Sequence, residues 1–190
     1  MHQTGAMRIE IRQVEAGDWL RMKELRLRAL ADPVSEVAFG ELYEDAVGYP
    51  DDVWRDRVHR TRTGETAATF VAVDADGTWI GMVTGVVEPA GEEAPKVPQV
   101  HLVGMYVVPE FRGAGVAEPL VGAFLDWVWE RPEDVQRVRL WVHGENRRAE
   151  GFYRRLGFAP DGGTMPFRSA LAHRMLLARP ARSARRNGQL

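Results

Sequence analysis

Gly113 and Gly115 sit in the stretch Val107-Val108-Pro109-Glu110-Phe111-Arg112-Gly113-Ala114-Gly115-Val116-Ala117, between a nearly all-apolar run and a second apolar segment. A strand that turns straight into a helix on small residues points main-chain N–H groups outward at the positive end of the helix dipole. That arrangement is an anion site. Residues without a Cβ let a phosphate come close to such a main chain. The spacing excludes the familiar nucleotide loops. A dinucleotide fingerprint needs a third glycine where position 118 is Glu, and a phosphate-binding loop of the Gly-Lys-Ser/Thr kind is absent. A turn whose glycines only relieve crowding is the plain alternative.

Other side chains could carry proton chemistry. Tyr153 follows Asn146 by seven residues, which on a helix brings both near one face, two turns apart. Asn146 is also a good helix N-cap. His101 shares its parity on the apolar run with Val103, Met105 and Val107. Its ordinary pKa suits proton acceptance near neutrality, and a histidine bonded to backbone is the equal alternative. Glu88, at the end of the preceding strand, is a candidate base or a solvated carboxylate. His143 reads as structural or solvent-facing. The chain contains no Cys, so disulfides, thiolate metal sites and cysteine nucleophiles are excluded. The five His show no ligand spacing with each other or with paired carboxylates, so no metal is expected.

Val107-x-Pro109-x-x-Arg112-Gly113-x-Gly115-Val116-Ala117 resembles the acetyl-CoA signature of the GNAT superfamily of N-acyltransferases, R/Q-x-x-G-x-G/A. Downstream, Asn146-x-x-Ala149-x-x-Phe152-Tyr153-x-x-x-Gly157-Phe158 is similar to that family's second signature, in the right order and separated by a helix and a strand. The resemblance covers roughly residues 100–160. It implies acetyl-CoA as co-substrate, with its pyrophosphate on the main-chain amides of Arg112, Gly113, Ala114, Gly115, Val116 and Ala117. It implies that two neighbouring strands splay, so that the free edge at Met105, Tyr106 and Val107 pairs with the pantetheine amides. It assigns Asn146 a hydrogen bond to the cofactor and Tyr153 the role of general acid to the departing sulfur. His101 and Glu88 are then the candidate bases, with a water chain as the substitute for both. Ala117 replaces the commoner glycine, and Glu118-Pro119 stands where many relatives carry a basic residue.

The activity so implied is acetyl transfer to a primary amine of a small molecule or of a peptide or protein. It runs directly between the two substrates, without a covalent enzyme intermediate. A non-catalytic acyl-CoA-binding sensor or interaction module of the same fold is the alternative. The acceptor pocket is expected from Ala31–Tyr49, Glu88–Pro98 and Asp161–Phe167. In it, Phe39, Glu41, Tyr43, Glu44 and Asp45 would offer an aromatic, acidic lining suited to a cationic amine. Family members are often dimers, and a homodimer is expected on that ground alone.

The elements that must position these groups follow from periodicity. Strands are expected at Arg8–Gln13, Ala67–Val73, Thr78–Val87, Val100–Val108, Arg137–Val142 and Ala170–Ala178, with the chain extended again after Gly157-Phe158. Asp74-Ala75-Asp76-Gly77 reads as a hairpin turn. Helices are expected at Asp18–Leu30 (Asp18 as N-cap), Asp51–Arg62, Gly115–Glu130 and Asn146–Leu156, with Val34–Tyr49 irregular or partly helical. The order describes a single-domain mixed α/β fold, a mostly antiparallel sheet flanked by helices, spanning residues 7–179. Residues 1–6 and 180–190 are expected to be flexible termini.

Composition is that of a globular domain: 190 residues, 45% hydrophobic and 27% charged. No apolar run reaches the roughly 18 residues of a membrane span, and the first residues lack a signal-peptide core. The expectation is therefore a cytoplasmic protein that does not enter membranes. The net charge of −2 hides an asymmetry. All carboxylates lie at or before Asp161, which leaves 19 Lys+Arg against 27 Asp+Glu there, a formal −8. Such an acidic body is not that of a nucleic-acid binder.

Overall fold

The computed structural model describes residues 8–91, 95–131, 134–168 and 170–181. The expected leader lies outside them, as does all of the expected tail beyond Ala181. Seven strands make one sheet: β1 (Glu10–Gln13), β2 (Ala67–Val73), β3 (Trp79–Glu88), β4 (Gln99–Val107), β5 (Arg137–His143), β6 (Ala159–Phe167) and β7 (Ala170–Ala178). Their spatial order is β1-β2-β3-β4-β5-β7-β6. Every pairing is antiparallel except that of β4 with β5. The helices are α1 (Trp19–Ala31), α2 (Ser35–Ala38), α3 (Tyr43–Val47), α4 (Asp51–Arg62), α5 (Ala117–Glu130) and α6 (Arg147–Arg155). Among the described residues no helix is long and apolar enough to cross a membrane.

The mixed α/β fold agrees with the sequence reading, with local differences. The stretch Val34–Tyr49, irregular or partly helical by its sequence, holds two short helices, α2 and α3. The extended chain expected after Gly157-Phe158 is β6, which includes Asp161–Phe167; β7 inserts between β5 and β6 and gives its backbone a partner. Helix α5 starts at Ala117, not at Gly115; the glycines have φ of +86° and +83°, outside the helical region. Asp18 precedes α1, but its carboxylate accepts from the Glu15 N–H and from Arg12 instead of capping that helix.

Strand β2 is buried at every position because both α4 and α5 pack on it. Helix α5 lies close against β3. A Cβ on Gly85 would stand 2.4 Å from the Phe124 ring and 2.7 Å from Trp127, so the contact depends on glycine. The core runs from Trp54 under α1 and α4 through Ile80 and Val83 to Leu120 and Phe124 of α5.

Two backbone features shape the middle of the sheet. The parallel pairing of β4 with β5 covers only Gln99 with Arg137, Val100 with Val138 and His101 with Arg139, after which the strands diverge. The β5 side of Leu102–Val107 therefore has no strand beside it. On its other side, β4 pairs Val103 with Thr84 and Tyr106 with Met82, so Gly104 and Met105 oppose the single residue Val83. This is a bulge with Gly104 at φ +63°, and it bends β4 where the gap opens.

Candidate active site

The divergence leaves a cleft of about 740 Å³. Its walls are His101–Val107 of β4, Leu140–His143 of β5, the Phe111–Glu118 region, the first turns of α6, Arg26 of α1, and Val34 and Val37–Gly40. The two signature segments thus face each other across the gap between β4 and β5.

At the turn, the N–H of Arg112 is bonded to Pro109 O and that of Ala114 to Phe111 O, both at 3.2 Å. The N–H groups of Gly113, Gly115, Val116 and Ala117 have no partner among the described residues. They stand at the N-terminus of a helix of 14 residues. A Cβ placed on Gly113 or Gly115 would meet nothing within 4 Å, so the approach to these amides is open. A pyrophosphate fits that donor set. The Arg112 side chain turns inward instead: Nε donates to Val107 O at 3.0 Å and Nη2 to Asp32 at 2.5 Å. The Tyr106 hydroxyl also donates to Asp32, at 3.2 Å. Tyr106 is 4% exposed, and burial, helped by the Asp32 charge, pushes its pKa up to about 12. Arg112 and Tyr106 therefore offer main chain toward the cleft while their side-chain polar atoms hold the turn to α1. For Asp32, burial acts to raise the pKa, but hydrogen bonds from the Val34 N–H, Arg112 and Tyr106 outweigh it and hold the carboxyl below its ordinary range.

Asn146 caps α6: its Oδ1 accepts from the Ala149 N–H at 3.1 Å, and its Nδ2 donates to Val37 O at 3.4 Å, tying α6 to α2. Tyr153, on the buried face of α6, packs edge-on against Phe152 and Phe158 and lines the cleft. Burial alone raises its pKa, so the phenol keeps its proton. His143 is not solvent-facing: it is 4% exposed and lines the cleft, with Nδ1 accepting from the Glu145 N–H at 3.2 Å.

His101 and Glu88 come together, but in different states. Glu88 is held by Arg139, which donates through both Nε and Nη2, and by Gln99 Nε2 at 2.7 Å. Burial acts to raise Glu88, yet these bonds and the Arg139 charge outweigh it and leave the carboxyl below its ordinary range. Glu88 does not reach the cleft wall. His101 does, with Nδ1 3.7 Å from Glu88 Oε1. Burial first, and then Arg139, lowers its pKa to about 4 against the opposing pull of Glu88. The imidazole is neutral at physiological pH, with a free base to offer.

The acceptor end differs from the acidic lining expected. Phe39 lines the cleft, whereas Glu41, Tyr43, Glu44 and Asp45 do not. Glu41 accepts from Arg26 Nε at 2.9 Å and from Arg57 Nη2 at 2.6 Å, because its carboxylate, largely removed from water, needs cationic partners. Sequence reasoning missed Asp32, Arg139, Arg26 and the bulge. A glycine inside an apolar strand is a signal for the last; the ion pairs join residues 15 to 80 positions apart and leave no local trace.

Residues 34–158 match the acetyltransferase (GNAT) family. An uncharacterized N-acetyltransferase of Methanocaldococcus jannaschii is 34% identical over 89 residues, which is 47% of this chain and 33% of that protein. The matched stretch spans well under two thirds of the curated relatives' lengths, between 28% and 49%. Among solved structures, a GNAT-family acetyltransferase from Streptococcus pneumoniae superposes with a TM-score of 0.71 at 16% identity, covering 90% of this chain and 99% of the other. A spermidine N-acetyltransferase from Vibrio cholerae, solved with CoA and spermine, gives 0.68 at 20% identity, covering 90% and 95%. At these identities the structures show the fold. Among the described residues, no group of three His, Asp or Glu is placed to hold a metal ion.

Proposed function

We propose that this chain, which belongs to the acetyltransferase (GNAT) family, is an N-acetyltransferase that moves the acetyl group of acetyl-CoA directly to an amine. The observation that carries the reading is the gap between β4 and β5 ending on a turn with free amides at Gly113, Gly115, Val116 and Ala117. An extended chain of amides such as pantetheine can pair with the open edge at Met105–Val107, and a pyrophosphate can end on the turn.

Acetyl-CoA supplies an acyl carbon already activated as a thioester: the amine nitrogen forms the new bond to it, and the C–S bond breaks. The residues present meet the remaining needs. His101, neutral and on the cleft wall, accepts the proton that the attacking amine must lose. Glu88, already paired with Arg139 and Gln99 and off the cleft wall, is not the base. Tyr153, kept protonated by burial, donates to the departing sulfur. Asn146 fixes the start of α6 and so the position of Tyr153.

The test is a purified sample titrated with acetyl-CoA, followed by free-thiol release against a panel of amines, polyamines, amino acids and peptides. A rise in Tm at saturating acetyl-CoA together with thiol release is expected. Unchanged Tm removes the cofactor reading. A rise in Tm with no thiol release from any amine supports a sensor of the same fold instead.

A further inference from the structure

Arg26 of α1 is held by two partners and is largely buried. Its Nε bonds Glu41 at 2.9 Å, its guanidinium lies 4.5 Å from the centroid of the Phe39 ring, and its side chain is 15% exposed. Its Nη1 is buried and has no hydrogen-bond partner among the described residues. Arg26 lines the cleft, and Nη1 stands 4.0 Å from where a Cβ of Gly104 would be, beside the bulge in β4. Glu41 does not neutralise this end, because it is shared with Arg57: two guanidinium groups face one carboxylate.

A second cleft-lining atom is in the same condition. His143 Nδ1 accepts a backbone N–H, so the neutral ring carries its proton on Nε2, and Nε2 is buried without a partner among the described residues. Both atoms are donors. A buried donor left unpaired is costly; the surrounding side chains close over both atoms, and a ligand that reaches either must bring an oxygen acceptor. Glu118, just after the turn, is the one carboxylate on the described wall of the cleft. A polycation would meet no negative charge at the Arg26 end. Phe39 stacks on the Arg26 guanidinium, and Val34, Val37, Met165 and Phe167 add apolar wall to the cleft.

We propose that the acceptor amine also carries a carboxylate, bound by the Arg26 guanidinium, and has an apolar body, as in an α-amino acid with an apolar side chain. This rests on the cleft being an N-acetyltransferase site and names the acceptor class for it. The direction is opposite to the cationic amine suggested by the charge of the sequence.

The experiment compares L-phenylalanine and L-methionine with their amides and with spermidine, by thiol release under saturating acetyl-CoA. In parallel, calorimetry measures L-phenylalanine binding to the CoA-saturated protein. The acids are expected to exceed the amides in kcat/KM by about tenfold or more. Arg26→Gln should lower kcat/KM for the acids about 10- to 100-fold while changing the amides by less than about threefold, the loss expected for a hydrogen bond to a charged group. Glu41 keeps Arg57 in that variant, and an unchanged CoA-induced rise in Tm certifies the fold. Arg26→Lys, which keeps the charge but not the fork, should recover part of the preference. Amides or spermidine matching the acids in the unaltered protein would overturn the proposal, as would an equal loss for every acceptor in Arg26→Gln. If no acceptor turns over but L-phenylalanine binds in an Arg26-dependent way, the carboxylate site stands and the transferase reading falls. If the acids neither bind nor react, the proposal is wrong.

Discussion

Asp32 Oδ2 accepts a 2.5 Å hydrogen bond from Arg112 Nη2 across 80 residues of sequence, and the Tyr106 hydroxyl reaches the same oxygen at 3.2 Å. One carboxylate at the end of α1 thereby holds both the end of β4 and the turn that follows it. The turn's free amides point outward because its arginine is pulled inward. Asp32→Ala leaves the guanidinium and the phenol without their shared acceptor, and should cost about 2–4 kcal/mol of stability. The midpoint of urea unfolding measures that loss. The CoA-induced rise in Tm should shrink with it, because the turn loses its anchor. A variant with both quantities unchanged would mean that the turn holds its own shape.

Burial, with no contribution from a charged neighbour among the described residues, raises the pKa of Tyr153. As a proton donor it should matter to the chemical step and little to binding. Tyr153→Phe is expected to lower kcat by roughly 10²-fold with little change in the acetyl-CoA KM or in the CoA-induced Tm. Equal turnover would take the donor role away from Tyr153 and leave the fold reading intact.

The His101 pKa, lowered to about 4 from an ordinary 6.5, predicts two pH effects. Between those values the unfolded chain binds the extra proton and the folded chain does not. Stability therefore falls as pH drops from 6.5 toward 4 and is restored above 6.5. His101→Gln should flatten that part of the curve, as read from thermal unfolding at each pH. The rate should show no enzyme inflection near 6.5, because the base is already free there. The same variant should lower kcat/KM by about 10- to 100-fold. An acid limb centred at 6.5 that survives His101→Gln would assign the proton to another group.

Gly85 faces α5 so closely that a methyl group would overlap the Phe124 and Trp127 rings, at 2.4 and 2.7 Å. Phe124 is fully buried and has no room to retreat. Gly85→Ala should therefore destabilise by about 1–3 kcal/mol through overpacking, measured by chemical denaturation. A gain in stability from the replacement would show that α5 can shift off the sheet at little cost.

What could be read from the residues in order is what depends on neighbours along the chain. Apolar alternation marked β1–β5 and β7 to within a few residues, and the small residues from Gly113 to Ala117 marked a strand-to-helix turn with open amides, because backbone donors at a helix start are a local matter. Pairing is not local. The chain after Gly157-Phe158 reads as extended, but that β7 lies between it and β5 and satisfies its backbone is decided by the fold. The charge of the cleft is likewise a tertiary property. Counted along the chain, the residues up to Asp161 are acidic, and Glu41, Glu44 and Asp45 look like a lining for a cation. Folding turns Glu41 between Arg26 and Arg57, leaves Glu44 and Asp45 off the cleft, and sets a guanidinium in their place. A carboxylate leaving water must find a cation wherever the fold brings one. The sequence alone thus determined the secondary elements and the signature turn; only the fold decided that Glu41 is paired with Arg26 and Arg57 and that Arg26 lines the cleft.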